Sequence, residues 1–270
     1  MPDGGGLFAA NAGTLVGMIH LPAMPGSPRH DGRSVREIEG RAIDEALLLQ
    51  RAGFDAAMLQ NTGNGPGRKD ADAAEVAQMA AIGRAIRAAN DLPLGINVLK
   101  NGVASAFALA SALDAAFVRI KVYVGAVVGS EGIVEGAAHA ALSERRRLGL
   151  DHVAILADIA DRTSRRLPDT PVSELASWAV SHGSADALVV TGRDLAETHR
   201  MLEELREAGV GVPLVVGGGA ETSNIADLLT RADSIIVGTA LKDDPAFDAP
   251  LSERRVADFV AAARRQAVAS

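Results

Sequence analysis

Val215-Val216-Gly217-Gly218-Gly219-Ala220 and, one helix length later, Ile236-Val237-Gly238-Thr239-Ala240 are two short apolar strands that each break off in glycine. Without a Cβ, such turns let backbone N–H groups close around an anion, and two of them in successive strand–helix units are the phosphate cradle of many (β/α)₈ barrels. The same glycines could serve only to close tight turns. What separates the two readings is whether the rest of the chain is a barrel.

Working back from these turns, strand-length apolar runs alternate with amphipathic stretches eight times. The runs are Leu15–Leu21, Ala56–Asn61, Leu94–Leu99, Ala116–Tyr123, His152–Ile159, Ala187–Thr191, Pro213–Val216 and Ser234–Val237. Helical patterns cover Val35–Arg51, Ala71–Ala89, Ala104–Leu113, Ile133–Leu148, Val172–His182, Asp194–Ala208, Ser223–Thr230 and Ser252–Ala267. Uninterrupted apolar strands are buried on both faces, as in a parallel sheet covered by helices. Caps agree: Ser34 with Glu37 has capping-box spacing, and Gly53, Gly149 and Gly209 stand where helices stop. The expected fold is α/β, a single (β/α)₈ TIM barrel over residues 1–270, with 1–13 as a short extension. An open doubly wound sheet, the main rival, usually needs fewer strands at this length.

Composition narrows the function. The 270 residues are 48% hydrophobic and only 3% aromatic, so Ala, Val, Leu and Ile must fill the core. There is no cysteine, which removes thiolate metal sites, disulfides and thiol nucleophiles. A net charge of −7 argues against nucleic acid as a main partner. With no basic leader and no apolar run of about 20 residues, a soluble cytoplasmic protein is expected. The histidines show no HExxH spacing, and neither a metal nor a cofactor is expected. Gly129, Gly132 and Gly136 echo a dinucleotide pattern but run into a helical stretch without the rest of that motif.

In a barrel, functional groups sit at the carboxyl ends of the strands. Alternation turns His20 inward beside Met18, where an imidazole can move a proton; it could equally be a structural histidine. On strand four Arg119 and Lys121 share the inward face, because Val118, Ile120 and Val122 must face the helices. Inward cations need acids or an anionic ligand, and Asp158 is the natural partner of Lys121. A barrel-filling ion network would explain them as well. Asn61, Asn97, Thr191 and Arg193 offer amides, a hydroxyl and a cation for substrate, with Gln60, Lys100 and Asn101 nearby. Thr62–Lys69 and Asp161–Pro168 read as mobile, cation-bearing loops suited to a lid.

The chain resembles the BtpA/SgcQ family of ribulose-phosphate-binding-type barrels. The carrying segments are Gly17 to Pro28, Gly95 to Asn101, Val122 to Ala126 with Glu131 to Gly136, Val189 to Gly192, and Val237 to Lys242. The resemblance implies that His20, Asn97, Thr191 and the turns Gly217–Gly219 and Gly238–Thr239 fall on motif positions. The family is named for a role in photosystem I biogenesis, while other members accompany sugar-uptake and sugar-phosphate genes. Two places depart from its pattern. An acidic residue followed by Asn-Phe-Gly-Asp usually ends the second strand, where this chain has Gln60-Asn61-Thr62-Gly63-Asn64. A Lys-His pair usually follows the acid of the fifth strand, where this chain has Ile159-Ala160-Asp161. Together these readings give two expectations. One is an isomerase, lyase or glycosyl-transfer enzyme for a phosphorylated sugar or ribosyl compound. In it the glycine turns (Gly217, Gly218, Gly219, Gly238, Thr239) hold phosphate, Arg119 and Lys121 stabilise negative charge, or Lys121 forms a Schiff base, and Asp158 or His20 moves a proton. The other is a non-catalytic assembly factor; in either case a homo-oligomer is expected.

Overall fold

A computed structural model describes residues 4–267 apart from Pro66. Eight parallel strands close into a barrel. In chain order the elements are β1 (Thr14–His20), α1 (Val35–Ala52), β2 (Ala56–Gln60), α2 (Ala73–Ala89), β3 (Leu94–Asn97), α3 (Val103–Leu113) and β4 (Phe117–Ile120). A hairpin of β5 (Ala126–Gly129) and β6 (Gly132–Glu135) follows, then α4 (Ala138–Arg147), β7 (Ala154–Ala160) and the two-residue β8 (Arg165–Arg166). The chain continues through α5 (Val172–Ser177), β9 (Ala187–Val190), α6 (Leu195–Glu207), β10 (Leu214–Val216), α7 (Ile225–Arg231), β11 (Ser234–Val237) and α8 (Glu253–Ala267). The barrel order is β1-β11-β10-β9-β7-β4-β3-β2, while β5 joins β6 and β8 in a separate three-stranded antiparallel sheet. Among the described residues no helix is long and apolar enough to cross a membrane.

Alternation along the strands builds two cores. Outward residues such as Leu15, Ile19, Ile96, Val118 and Ile155 pack on the helices, and inward Val16, Met18, Met58, Phe117, Leu156, Val189 and Ile236 fill the barrel. Phe117 needs room that Gly95 provides: a Cβ there would lie 2.1 Å from the ring. Phe8, from the segment before β1, meets Phe117 edge-on at 4.9 Å and closes the amino-terminal end of the barrel. With that end filled, only the carboxyl end is left for a ligand.

Two expectations need correction. The helix expected over Ile133–Leu148 begins only at Ala138, because Gly129 and Gly132 (φ 83°) bracket a two-residue turn that pairs Val128 with Ile133 in a hairpin. The glycines that echo a dinucleotide motif therefore belong to that hairpin, except Gly136, whose missing Cβ lets the chain pass Val124. Nor is Asp161–Pro168 a free lid: β8 within it pairs with β5 at Val127↔Arg166 and Val128↔Arg165.

Candidate functional site

A cavity of about 480 Å³ opens at the carboxyl end of the barrel. His20, Arg119, Lys121, Thr191, Gly217–Gly219, Gly238 and Thr239 line it together with Asn61, so most of the residues expected from the sequence converge. Arg193 does not. It points to solvent from the start of α6 and is bound there by Glu197, its Nε donating at 2.9 Å. Asn97 is fully buried below the cavity, its Nδ2 donating to the Arg119 carbonyl at 2.7 Å.

The floor is a charge network. Asp158 has no exposed side-chain surface and accepts from Arg119 Nε at 2.8 Å, Arg119 Nη2 at 2.9 Å and Lys121 Nζ at 2.7 Å. A register shift in β7 between Asp158 and Ala160 swings the chain so that Asp161 also reaches the mouth. There it lies 3.3 Å from Lys121 and accepts from Lys100 at 3.0 Å, with Thr163 adding a bond to the same lysine. Burial works to raise the pKa of Asp161, but Lys121, Lys100 and the Thr163 and Lys100 hydrogen bonds outweigh it and hold the carboxyl well below its usual range. Three cations thus share two carboxylates, which leaves one positive charge at the base of the cavity. A Schiff base at Lys121 would have to break both of its ion pairs.

Above the floor lie the glycine turns. A Cβ on Gly217 would come within 2.5 Å of Arg119 Nη2, and one on Gly238 within 2.5 Å of His20 Cε1, so both positions admit only glycine without rearrangement. Gly219 adopts φ 81°, in the left-handed region. Among the described residues the N–H groups of Gly218, Gly219, Gly238 and Thr239 donate to no main-chain carbonyl. Thr191, 4% exposed, sets its methyl 3.2 Å from a Cβ placed on Gly218, and the Arg162 guanidinium reaches the same point at 3.8 Å; the Thr191 hydroxyl, without a partner among the described residues, is buried beside Gly217. Free backbone amides and a guanidinium around one spot are suited to an anion.

His20 is held neutral. Burial first, then Lys242, Arg41 and Arg119, push its pKa down to about 3, so it stays a neutral imidazole that cannot supply a proton as imidazolium near neutral pH. Two of those cations were not singled out in the sequence. Arg41 Nη2 donates to the Ala249 carbonyl at 2.7 Å and Lys242 Nζ to the Phe247 carbonyl at 2.5 Å, which fixes the loop whose Phe247 ring meets His20 edge-on at 5.8 Å. Glu45, buried beside Arg41 Nε at 2.8 Å, completes this support. The i,i+4 spacing of Arg41 and Glu45 is legible in the sequence, but only the fold brings Lys242 to them.

The remaining wall sets acids and amides beside Arg29, Arg68 and Lys100. Asn61 is not a free ligand group: its Oδ1 accepts from Leu99 N at 2.7 Å, and its Nδ2 donates to Glu75 Oε1 at 2.5 Å. Glu75, from the first turn of α2, escaped the sequence reading because a glutamate there looks like an ordinary helix-start residue.

The chain also matches the BtpA family model over residues 11–265. It belongs to the BtpA family. A protein of Thermococcus kodakarensis described as uncharacterized is 36% identical over 93% of this chain and 95% of its own length. The photosystem I biogenesis protein BtpA of Synechocystis is 33% identical over 92% of this chain and 87% of its own. Among solved structures, N-(5'-phosphoribosyl)anthranilate isomerase from Pyrococcus furiosus superimposes with a TM-score of 0.57 at 10% identity, covering 93% of this chain and 99% of that one. That likeness extends to the barrel and no further.

Proposed function

We propose that this BtpA-family barrel is an enzyme that binds a sugar-phosphate or ribosyl-phosphate-type metabolite. The observation that carries the reading is the set of N–H groups at Gly218, Gly219, Gly238 and Thr239, unpaired among the described residues, with the Arg162 guanidinium beside Gly218. The phosphate would sit on these groups, over a floor with surplus positive charge. Arg119 and Lys121 then face the reacting part of the ligand and stabilise negative charge that develops there, as isomerase, lyase or glycosyl-transfer chemistry requires. Asp158, sealed beneath them, acts through the two cations by fixing their positions. His20 contributes as a neutral hydrogen-bonding group. The phosphoribosyl substrate in the Pyrococcus isomerase's name is in keeping with this ligand class.

The name of the Synechocystis relative favours a second reading, a non-catalytic assembly factor whose barrel is a binding scaffold. A thermal-shift screen of sugar phosphates, nucleotides and inorganic phosphate separates the two. The enzyme reading expects stabilisation by phosphorylated compounds that is lost in Gly218→Val, whose branched side chain would crowd Thr191 and Arg162. Absence of any such shift in the wild-type protein would favour the scaffold.

A further inference from the structure

On the barrel circumference the β2–β3 edge lies opposite β9 and β10, and thus across the mouth from Gly217–Gly219. At that edge Asn61 and Asn64 both direct their Nδ2 groups at one atom, Glu75 Oε1, at 2.5 and 2.6 Å. Each amide is itself fixed through its oxygen, Asn61 by Leu99 N at 2.7 Å and Asn64 by Met24 N at 2.8 Å. The carboxylate is therefore clamped in one orientation. Among the described residues its Oε2 accepts no hydrogen bond and Glu75 enters no ion pair, although the residue lines the cavity and is half-buried. Beside it on the end of β2, Gln60 lines the cavity with an amide that has no partner among the described residues.

The other carboxylates of the wall are engaged or less constrained. Asp161 serves Lys100, Lys121 and Thr163, and Asp72 caps α2 through Glu75 N while pairing with Arg68 at 2.6 Å. Glu131 rides on the two-residue turn between β5 and β6. Glu75 alone combines a locked carboxylate with an open oxygen. An acceptor held this rigidly, next to a free amide that can both donate and accept, matches a hydroxyl group, which also does both. An ammonium would fit less well, since Arg29, Arg68 and Lys100 already line this side.

We infer that Glu75, positioned by Asn61 and Asn64 and assisted by Gln60, receives the hydroxyl groups of a polyhydroxylated phosphate ester and selects it over a simple phosphate. This rests on the phosphate reading above, from which its test can be separated. Calorimetric titration of the full chain uses inorganic phosphate and butyl phosphate on one side, and ribose 5-phosphate, arabinose 5-phosphate and glucose 6-phosphate on the other. The wild-type protein should bind at least one sugar phosphate about ten-fold or more tightly than butyl phosphate. In Glu75→Gln the amide oxygen still accepts from both asparagines, so the fold is kept and an N–H replaces the open acceptor. The sugar advantage should then fall to within about three-fold, with inorganic phosphate affinity changed by less than that. Gln60→Ala should lose part of the advantage. A sugar advantage that persists in Glu75→Gln, or that never exists in the wild type while phosphate still binds, overturns the inference and spares the phosphate site. Failure of every phosphate compound to bind the wild type overturns both.

Discussion

Asp158 has no contact with the cavity, yet it sets what the cavity presents, because both of its oxygens are occupied by cations that do line the wall. Removing one partner of a buried ion network leaves charge uncompensated, which costs about 3–5 kcal/mol. Asp158→Asn should accordingly lower unfolding stability in urea by several kcal/mol; a loss below about 1 kcal/mol would mean that Arg119 and Lys121 are solvated without it. His20 supplies a pH signature. Its pKa is about 3 in the fold against 6.5 in an unfolded chain, so below pH 6.5 the unfolded state takes up a proton that the folded state refuses. Stability from this residue is complete above about pH 6.5 and declines as the pH falls toward 3. At pH 5 the decline is about 2 kcal/mol from this group alone. His20→Gln should flatten the change in urea stability between pH 7 and pH 5 by about that amount. An unchanged pH dependence in the variant would contradict a buried neutral imidazole.

At the level of elements, the segment before β1 is a structural part of the barrel. Phe8 is 2% exposed against Phe117, and Phe8→Ala should cost about 3–5 kcal/mol, read by chemical denaturation. A variant as stable as the wild type would show that the amino-terminal end closes without it. The eight barrel strands were legible in the sequence, since apolar runs on both faces leave a parallel strand few alternatives. Inward placement of Arg119 and Lys121 followed from the apolar residues between them. The β5–β6 hairpin was not legible, because its strands are only four residues each and run into a genuine helix pattern at Ala138–Arg147. Nor could alternation locate Asp161, whose approach to Lys121 depends on the irregularity in β7 after Asp158. Glu75 was hidden for a third reason: its role comes from Asn61 and Asn64, 14 and 11 residues away, and only the loop between β2 and α2 brings them to it.

For the molecule as a whole, the barrel separates stability from function along its axis. The amino-terminal end is packed with aromatic and aliphatic side chains, while charge, free amides and free backbone N–H groups gather at the other end. Around that mouth the polarity is divided, with the glycine turn of β10 facing the Glu75 cluster across the barrel and that of β11 next to it. Membership of the BtpA family fixes the framework, and the proposed ligand, with a phosphate at one end and hydroxyls at the other, matches this division. Phosphate bound at the glycine turns is visible to amide NMR. Titration of the ¹⁵N-labelled protein with a phosphate ester should shift the backbone resonances of Gly218, Gly219, Gly238 and Thr239 most strongly and in parallel, with the same apparent affinity at all four. Saturable shifts confined to other residues, or none at all at millimolar ester, would contradict a phosphate site at these turns.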